Sequence, residues 1–214
     1  MISWTAESSF EPHAYMTVQA PKTDSLKEII MRKLSYVITL SAALLTANAA
    51  FADDTVRVSG QSMFPSKDII DNAVNSADHT TLVAAVKAAG LVDTLKGKGP
   101  FTVFAPTNAA FGKLPPGTVD TLVKPENKAT LTKILTYHVV PGRYGFSALS
   151  SAIKKGGGKA ELATASGGKL TFRQNGMHNI AVTDDGGNTA NISTYDVNQS
   201  NGVINVIDTV LMPK

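Results

Sequence analysis

Residues Phe101 to Phe111 read F-T-V-F-A-P-T-N-A-A-F, and the fold is read outward from them. Phe101 to Ala105 is a short apolar run of strand formers, which predicts a buried strand. Pro106 has no N–H to offer a ladder, so the strand is expected to stop there. Thr107 is suited to cap a helical turn through Asn108, Ala109 and Ala110. Phe111 then folds back beside the strand. One short segment thus supplies a strand, a corner and a helix start, with three phenylalanines to bury.

Upstream, Ile69, Ile70, Ala73 and Val74 recur at helical spacing and predict a short helix. Asp78 is a candidate cap for the next helix. Leu82, Ala85, Val86 and Ala89 share one face of it, and Gly90 suits its C-terminal stop. Leu91 to Leu95 adds a further turn, and Gly97-Lys98-Gly99-Pro100 leads into the central segment. Downstream, Lys113 to Gly117 is a turn. Thr118 is expected to cap a short helix to Leu122, and Asn127 a longer one. Leu131, Ile134, Leu135 and His138 follow the i, i+3, i+4, i+7 pattern, which puts His138 on the apolar stripe. Such a histidine is either a ligand or catalytic group, or a core residue bonded to nearby backbone. His13, His79 and His178 form no sequence cluster with it, which favours the core role.

The remainder is β-rich. Lys159 to Ala163, Leu170 to Arg173 and Met177 to Val182 are strand candidates, with Asn175-Gly176 suited to a two-residue hairpin turn. Asp184 to Asn188 is a loop whose oxygens lack the alternating spacing of a calcium loop, so a solvated turn is expected. Thr189 to Tyr195 resumes strand character. Asp196 reads as a loop carboxylate at a strand end, and Asp208 as bonded to nearby backbone. Asn201 to Pro213, N-G-V-I-N-V-I-D-T-V-L-M-P, opens on a turn dipeptide. Its apolar residues then occupy both faces of a strand, which belongs in a sheet interior.

Together these segments carry a resemblance. Phe101 to Phe111 resembles the first signature box of the fasciclin domain, an extracellular adhesion module. Asn201 to Pro213 resembles the second, and Tyr137-His138 matches the Tyr-His motif between them. The resemblance covers residues 68–213. It implies an α+β fold: a wedge-like β-sandwich of mainly antiparallel strands with several packed helices. Helices early and strands late point independently to α+β rather than a repeating βαβ sheet. The resemblance also implies adhesion. The Tyr-His segment makes Tyr137 and His138 candidate binding residues, acting chiefly by holding the local surface in shape. Some animal relatives carry an Asp-Ile pair, associated with integrin binding, at the spacing of Asp196-Val197. Valine replaces isoleucine here, so that role does not transfer directly, but Asp196 and Val197 are candidate contacts expected at the surface.

Composition narrows the function classes. The chain has 214 residues, a net charge of +3 and no cysteine. The mild charge makes no case for nucleic acid. Absence of cysteine removes disulfides, thiolate metal sites and a cysteine nucleophile. Met31-Arg32-Lys33, the apolar run Leu34 to Leu45 and Ala50-Phe51-Ala52 have the layout of a cleaved secretory signal peptide over residues 31–52. The run is short for a membrane span, so no stable insertion is expected after cleavage. Residues 1–30 read as an over-extended start, and residues 53–67 as a flexible lead-in.

No G-x-S-x-G elbow, phosphate-binding glycine loop or H-E-x-x-H pair occurs, so the expectation is not an enzyme, with no cofactor and no metal. The leading reading is a secreted or periplasmic adhesion module whose partner is a cell-surface or extracellular protein or glycan. The alternative is a periplasmic module for a small apolar or lipid-like ligand. An exposed apolar patch favours the first, and a closed apolar pocket with few polar groups favours the second.

Overall fold

The structure is a computed structural model, and it describes residues 55–58 and 60–214. Residues 1–30 and the leader at 31–52 lie outside the described residues. In chain order the described elements begin with strands β1 (Val56–Val58) and β2 (Gln61–Met63). Helices α1 (Ile69–Ala73), α2 (Thr80–Ala89) and α3 (Val92–Lys96) follow, then strand β3 (Phe101–Pro106). Helices α4 (Asn108–Gly112), α5 (Thr118–Leu122) and α6 (Lys128–Tyr137) lead to β4 (Val139–Pro141) and α7 (Phe146–Lys155). The chain closes with β5 (Lys159–Ala163), β6 (Lys169–Gln174), β7 (Ile180–Thr183), β8 (Thr189–Gln199) and β9 (Gly202–Ile207). Short 3-10 turns at Ala77–His79 and Pro125–Asn127 precede α2 and α6.

The main sheet has seven strands in the order β4-β3-β9-β8-β7-β6-β5. Its pairs are antiparallel except β3 with β9, which run parallel from Phe101 opposite Gly202 to Pro106 opposite Ile207. Just past β5, Ala165 N–H donates to Val139 O of β4 at 2.8 Å, so the two ends of the sheet nearly meet. The result is the expected α+β architecture, a nearly closed sandwich with helices packed on it.

The apolar runs are long because β3 and β9 are covered on both faces. Val103 and Ala105 face one core, with Ile69, Leu82, Val86, Leu135 and Val206. Phe104 points the other way, into a core with Tyr137, Leu149, Phe172, Ile180 and Ile207. Its ring lies 5.2 Å from that of Phe172.

Pro106 is the last residue of β3, so the strand stops there as expected, and the ladder explains why a proline fits at its end. Phe101 and Thr107 donate to Asn201 O and Ile207 O of the β9 side, whereas Phe104 donates to His138 O on the β4 side. Position 106 therefore faces its missing N–H toward the β4 side, beyond the residues that β4 pairs. Thr107 then caps α4 as expected, its hydroxyl accepting Ala110 N–H.

Several expectations are corrected. The lead-in is not simply flexible: β1 pairs with β2 around Gly60, which has a left-handed φ of 79°, and Val58 and Met63 are buried. Helix α7 was not anticipated, although Phe146, Leu149 and Ile153 carry its spacing. Asn175-Gly176 is not a two-residue turn. Asn175 N–H donates to Asn179 O, so a five-residue loop results, and β7 starts at Ile180 rather than Met177. The helix cap before α2 is not Asp78, since the 3-10 turn intervenes with Ser76 at its start. Gly117, left-handed at φ 79°, precedes α5 where Thr118 was expected to cap. Asn127 does sit at the N-terminal cap position of α6, but its amide donates back to Thr121 O instead of capping.

Candidate functional site

Tyr137 and His138 sit at the C-terminal end of α6, and both are buried. The Tyr137 hydroxyl donates to Lys169 O at 2.7 Å and accepts Asp185 N–H at 2.8 Å. It thereby ties the start of β6 to the loop after β7. Burial pushes its pKa up to about 12. Gly168 is required beside it, because a Cβ there would strike the Tyr137 ring.

His138 is a core histidine with both ring nitrogens engaged. Nε2 accepts the Leu211 N–H at 3.0 Å, so the proton is on Nδ1, which donates to Ile134 O at 2.8 Å. Burial depresses its pKa to about 4. A neutral ring bonded to backbone on both sides is in no position for acid–base chemistry or ligation. It anchors the segment after β9.

Asp196 and Val197 lie elsewhere. Tyr137 reaches the loop before β8, while Asp196 is seven residues into β8, so the two motifs do not converge. The β8–β9 register slips between Ile192 and Thr194 and again between Thr194 and Val197. Strand alternation splits the Asp196-Val197 pair, and the irregularity decides that Val197 rather than Asp196 faces inward. Val197 is turned into the core, 1% exposed, contrary to the expectation that both would be at the surface. Asp196 remains exposed and takes a left-handed φ of 58°, a conformation aspartate tolerates better than a branched residue.

The surroundings of Asp196 are tightly held. Its Oδ1 accepts the Phe146 N–H at the start of α7 at 2.9 Å. A Cβ at Gly145 would push that oxygen aside and break the bond to Phe146. Buried Asn205 accepts Asp196 N–H and donates to Tyr144 O at 3.0 Å. Thr102, also buried, accepts Tyr144 N–H and donates to Gly142 O. Arg143 donates to Asn198 Oδ1 and Gln199 O. Phe146 and Tyr195 meet edge to face at 5.1 Å, and the Tyr195 hydroxyl accepts Ile180 N–H.

The outcome is a rigid surface patch. Half-buried Tyr144, Phe146 and Tyr195 are flanked by exposed Arg143, Asp196 and Asn198. Sequence reasoning found only Asp196 of this group. A positioning network built from Thr102 and Asn205 leaves no motif, although one polar residue inside each apolar strand was a usable signal.

Other polar residues are structurally committed. Asp184 is buried rather than solvated, because its carboxylate accepts from Asn188 and from Met212 N–H. Asp208 accepts from Asn191 N–H, as expected. Asn201 accepts Ile69 N–H and donates to Leu95 O and Gly97 O, joining β9 to the helices as well as turning the chain. Among the described residues no three His, Cys, Asp or Glu side chains converge as a metal site requires. None of the described helices is long and apolar enough to cross a membrane.

A second feature is internal. A cavity of about 80 Å³ lies among α1, α2, β3, β9 and the β1–β2 hairpin, lined mostly by apolar side chains, with Ser76, His79, Lys87 and His138 as the polar ones.

The fasciclin domain family model matches residues 77–213. The chain belongs to the fasciclin domain family. The curated relatives of this fasciclin chain include protein sll1483 of Synechocystis, 47% identical over 146 residues, which cover 68% of this chain and 73% of that one. The immunogenic protein MPB70 of Mycobacterium bovis is 39% identical over 146 residues, covering 66% of each chain. The cell surface glycolipoprotein MPB83 of the same species is 39% identical over 147 residues, and the match covers 66% of this chain and 58% of MPB83. Among solved structures, a fasciclin domain pair from the insect cell adhesion molecule fasciclin I superposes with a TM-score of 0.63 at 18% identity, covering 74% of this chain and 57% of that one. That likeness is one of fold. The matched proteins thus include a cell surface glycolipoprotein and a cell adhesion molecule.

Proposed function

We propose that this fasciclin domain is a secreted or periplasmic attachment module that binds a cell-surface or extracellular protein or glycan through the patch around Asp196. The observation that carries this is the combination of Tyr144, Phe146 and Tyr195 with Arg143 on a surface whose backbone is held by Thr102 and Asn205. Aromatic residues and arginine are the side chains that dominate binding surfaces. A prepositioned patch also loses little freedom on binding. Buried Tyr137 and His138 contribute by holding neighbouring loops, not by contact. Export by cleavage of residues 31–52, leaving a domain of residues 68–213 after its short lead-in, is part of this proposal.

The test is attachment of immobilised protein to cell-surface glycans and to neighbour-cell surface proteins. Arg143→Ala and Tyr144→Ala should each weaken attachment by about tenfold or more, as central anchors do. Asp196→Ala should weaken it by at most about tenfold, as for a rim contact. Undiminished attachment by correctly folded Arg143→Ala and Tyr144→Ala variants rules the patch out.

A second reading, a module for a small apolar ligand, is favoured by one observation, the apolar cavity beside the β1–β2 hairpin. Co-purification of such a molecule with protein that shows no surface attachment would favour it over the first.

A further inference from the structure

Two asparagines stand in the N-x-Ser pattern of acceptors for N-linked oligosaccharide, Asn191-Ile192-Ser193 and Asn198-Gln199-Ser200. Both lie on β8, and both asparagines are exposed. The pattern alone does not choose between them, but their surroundings do.

Asn191 is committed to the fold at both ends of its amide. Its Nδ2 donates to Asp208 Oδ2 at 3.3 Å, and its Oδ1 accepts from Asn175 at 3.0 Å. The Ser193 hydroxyl, two residues on, donates to Val206 O. A sugar on Asn191 Nδ2 would place bulk where the Asp208 carboxylate sits. Asn198 is engaged at one end only. Its Oδ1 accepts from Arg143 at 3.2 Å, and a guanidinium only donates, so the oxygen is the atom that faces it. Neither Asn198 Nδ2 nor Ser200 Oγ makes a hydrogen bond among the described residues. Glycosylation substitutes Nδ2 and keeps Oδ1, so the Arg143 bond survives it. Val197 and Gln199 are turned inward, leaving Asn198 and Ser200 on the outer face, where a bulky, hydrated group is tolerated. Bacterial oligosaccharyl transferases read a carboxylate two residues before the asparagine as well as the hydroxyl two residues after it. Asp196 to Ser200 supplies both, whereas Thr189 stands at the corresponding place before Asn191.

We propose that Asn198, and not Asn191, is an acceptor site for an N-linked oligosaccharide attached during export. This rests on the export proposed above. The donor is an oligosaccharide carried on a polyprenyl pyrophosphate. Asn198 Nδ2 attacks its anomeric carbon, so a C–N bond forms and the C–O bond to the pyrophosphate breaks. The polyprenyl pyrophosphate leaves with the electron pair, and one amide proton passes to a base of the transferase. In the folded protein Asn198 is paired with Val203 of β9, and a strand held in a ladder does not bend into an enzyme site. The acceptor is open while β9 is unpaired, and β9 is the last described strand to be made. The product stands beside Arg143, on the rim of the patch around Asp196.

The full chain is expressed in bacteria with and without such a transferase and its lipid-linked donor, and exported protein is read by intact mass and peptide mapping. The expected species begins at Asp53 and carries one glycan, mapped to Asn198 and absent without the transferase. Ser200→Ala removes a hydroxyl that bonds nothing among the described residues, and should lose the glycan while keeping the melting temperature. Asp196→Asn, which keeps an acceptor for Phe146 N–H, should lose it too. Purified folded protein given the same transferase and donor should stay unmodified, and equal modification there overturns attachment during export. An exported chain beginning at Asp53 with no added mass, in cells that modify a control acceptor, overturns the assignment and leaves export standing. So does a glycan mapped to Asn191. A chain that retains residues 31–52 refutes export, and the acceptor assignment falls with it.

Discussion

Protonating His138 should loosen this domain, and its magnitude can be worked out. Nε2 accepts the Leu211 N–H, so a proton added there replaces a hydrogen bond with a donor facing a donor inside the core. The folded ring titrates at about 4 against an ordinary 6.5. At about 1.36 kcal/mol per tenfold change in proton affinity, that gap corresponds to roughly 3 kcal/mol. The sign follows from which state binds the proton first. Below 6.5 the unfolded chain takes up a proton that the folded chain refuses. The stabilisation is therefore complete above pH 6.5, falls as pH drops toward 4, and changes no further below that. His79, also depressed by burial, acts in the same direction, so the comparison must be differential. His138→Gln keeps a neutral acceptor but cannot titrate. It should cost about 1–2 kcal/mol at pH 7.5 through imperfect bonding. Urea unfolding at half-unit intervals from pH 7.5 to 4 should then give the wild type a steeper loss than the variant, by up to about one proton's slope. Parallel curves would refute the reasoning, because they would mean the ring titrates normally in the folded state.

Three further outcomes are expected. Asp196→Asn keeps an acceptor for Phe146 N–H and tolerates the left-handed backbone, so it should shift stability by less than about 0.5 kcal/mol. Asp196→Val should cost about 2 kcal/mol, from strain and the lost acceptor together, and equal melting temperatures for the two would contradict this account. Phe104→Ala empties a fully buried site beside Phe172, and should cost about 3–5 kcal/mol in denaturant titration, abolishing attachment only through unfolding. Exported protein should begin at Asp53 and lack tryptophan, since Trp4 is the sole one in the sequence. An intact mass that includes Trp4 would contradict cleavage after Ala52.

The parts of the fold that were legible in the sequence are those where one local rule acts alone. Phe101 to Phe111 gave strand, corner and cap because apolar run, proline and threonine agree there. Leu82, Ala85, Val86 and Ala89 identified a buried helix face that the structure retains. His138 was placed in the core by its position on a stripe, and backbone bonds on both nitrogens match that role. Legibility failed where tertiary context overrides local signal. The β1–β2 hairpin looks like a polar linker, because only Val58 and Met63 are turned inward. Val197 looked surface-bound, because the register slip that inverts it is produced jointly by β8 and β9. The patch around Asp196 could not be read at all from spacing. Its members come from residues 143–146 and 195–198, joined through Asn205 and Thr102 in two other strands.

The parallel pairing of β3 with β9 sets a timetable for the chain. Phe101 faces Gly202 and Pro106 faces Ile207, and β9 also supplies the partner for β8. The middle of the sheet is therefore missing until about a hundred further residues have been made after β3. Contacts this distant in sequence are slow to form, since a long loop must close before they return anything. A nascent chain lacking residues 202–207 has no central strand to pair β3 with β8. The seven-stranded sheet of such a chain cannot close until β9 has been made. Were the chain exported through a narrow channel, as proposed above, this late-closing sheet would supply a delay that a local, early-folding topology would not.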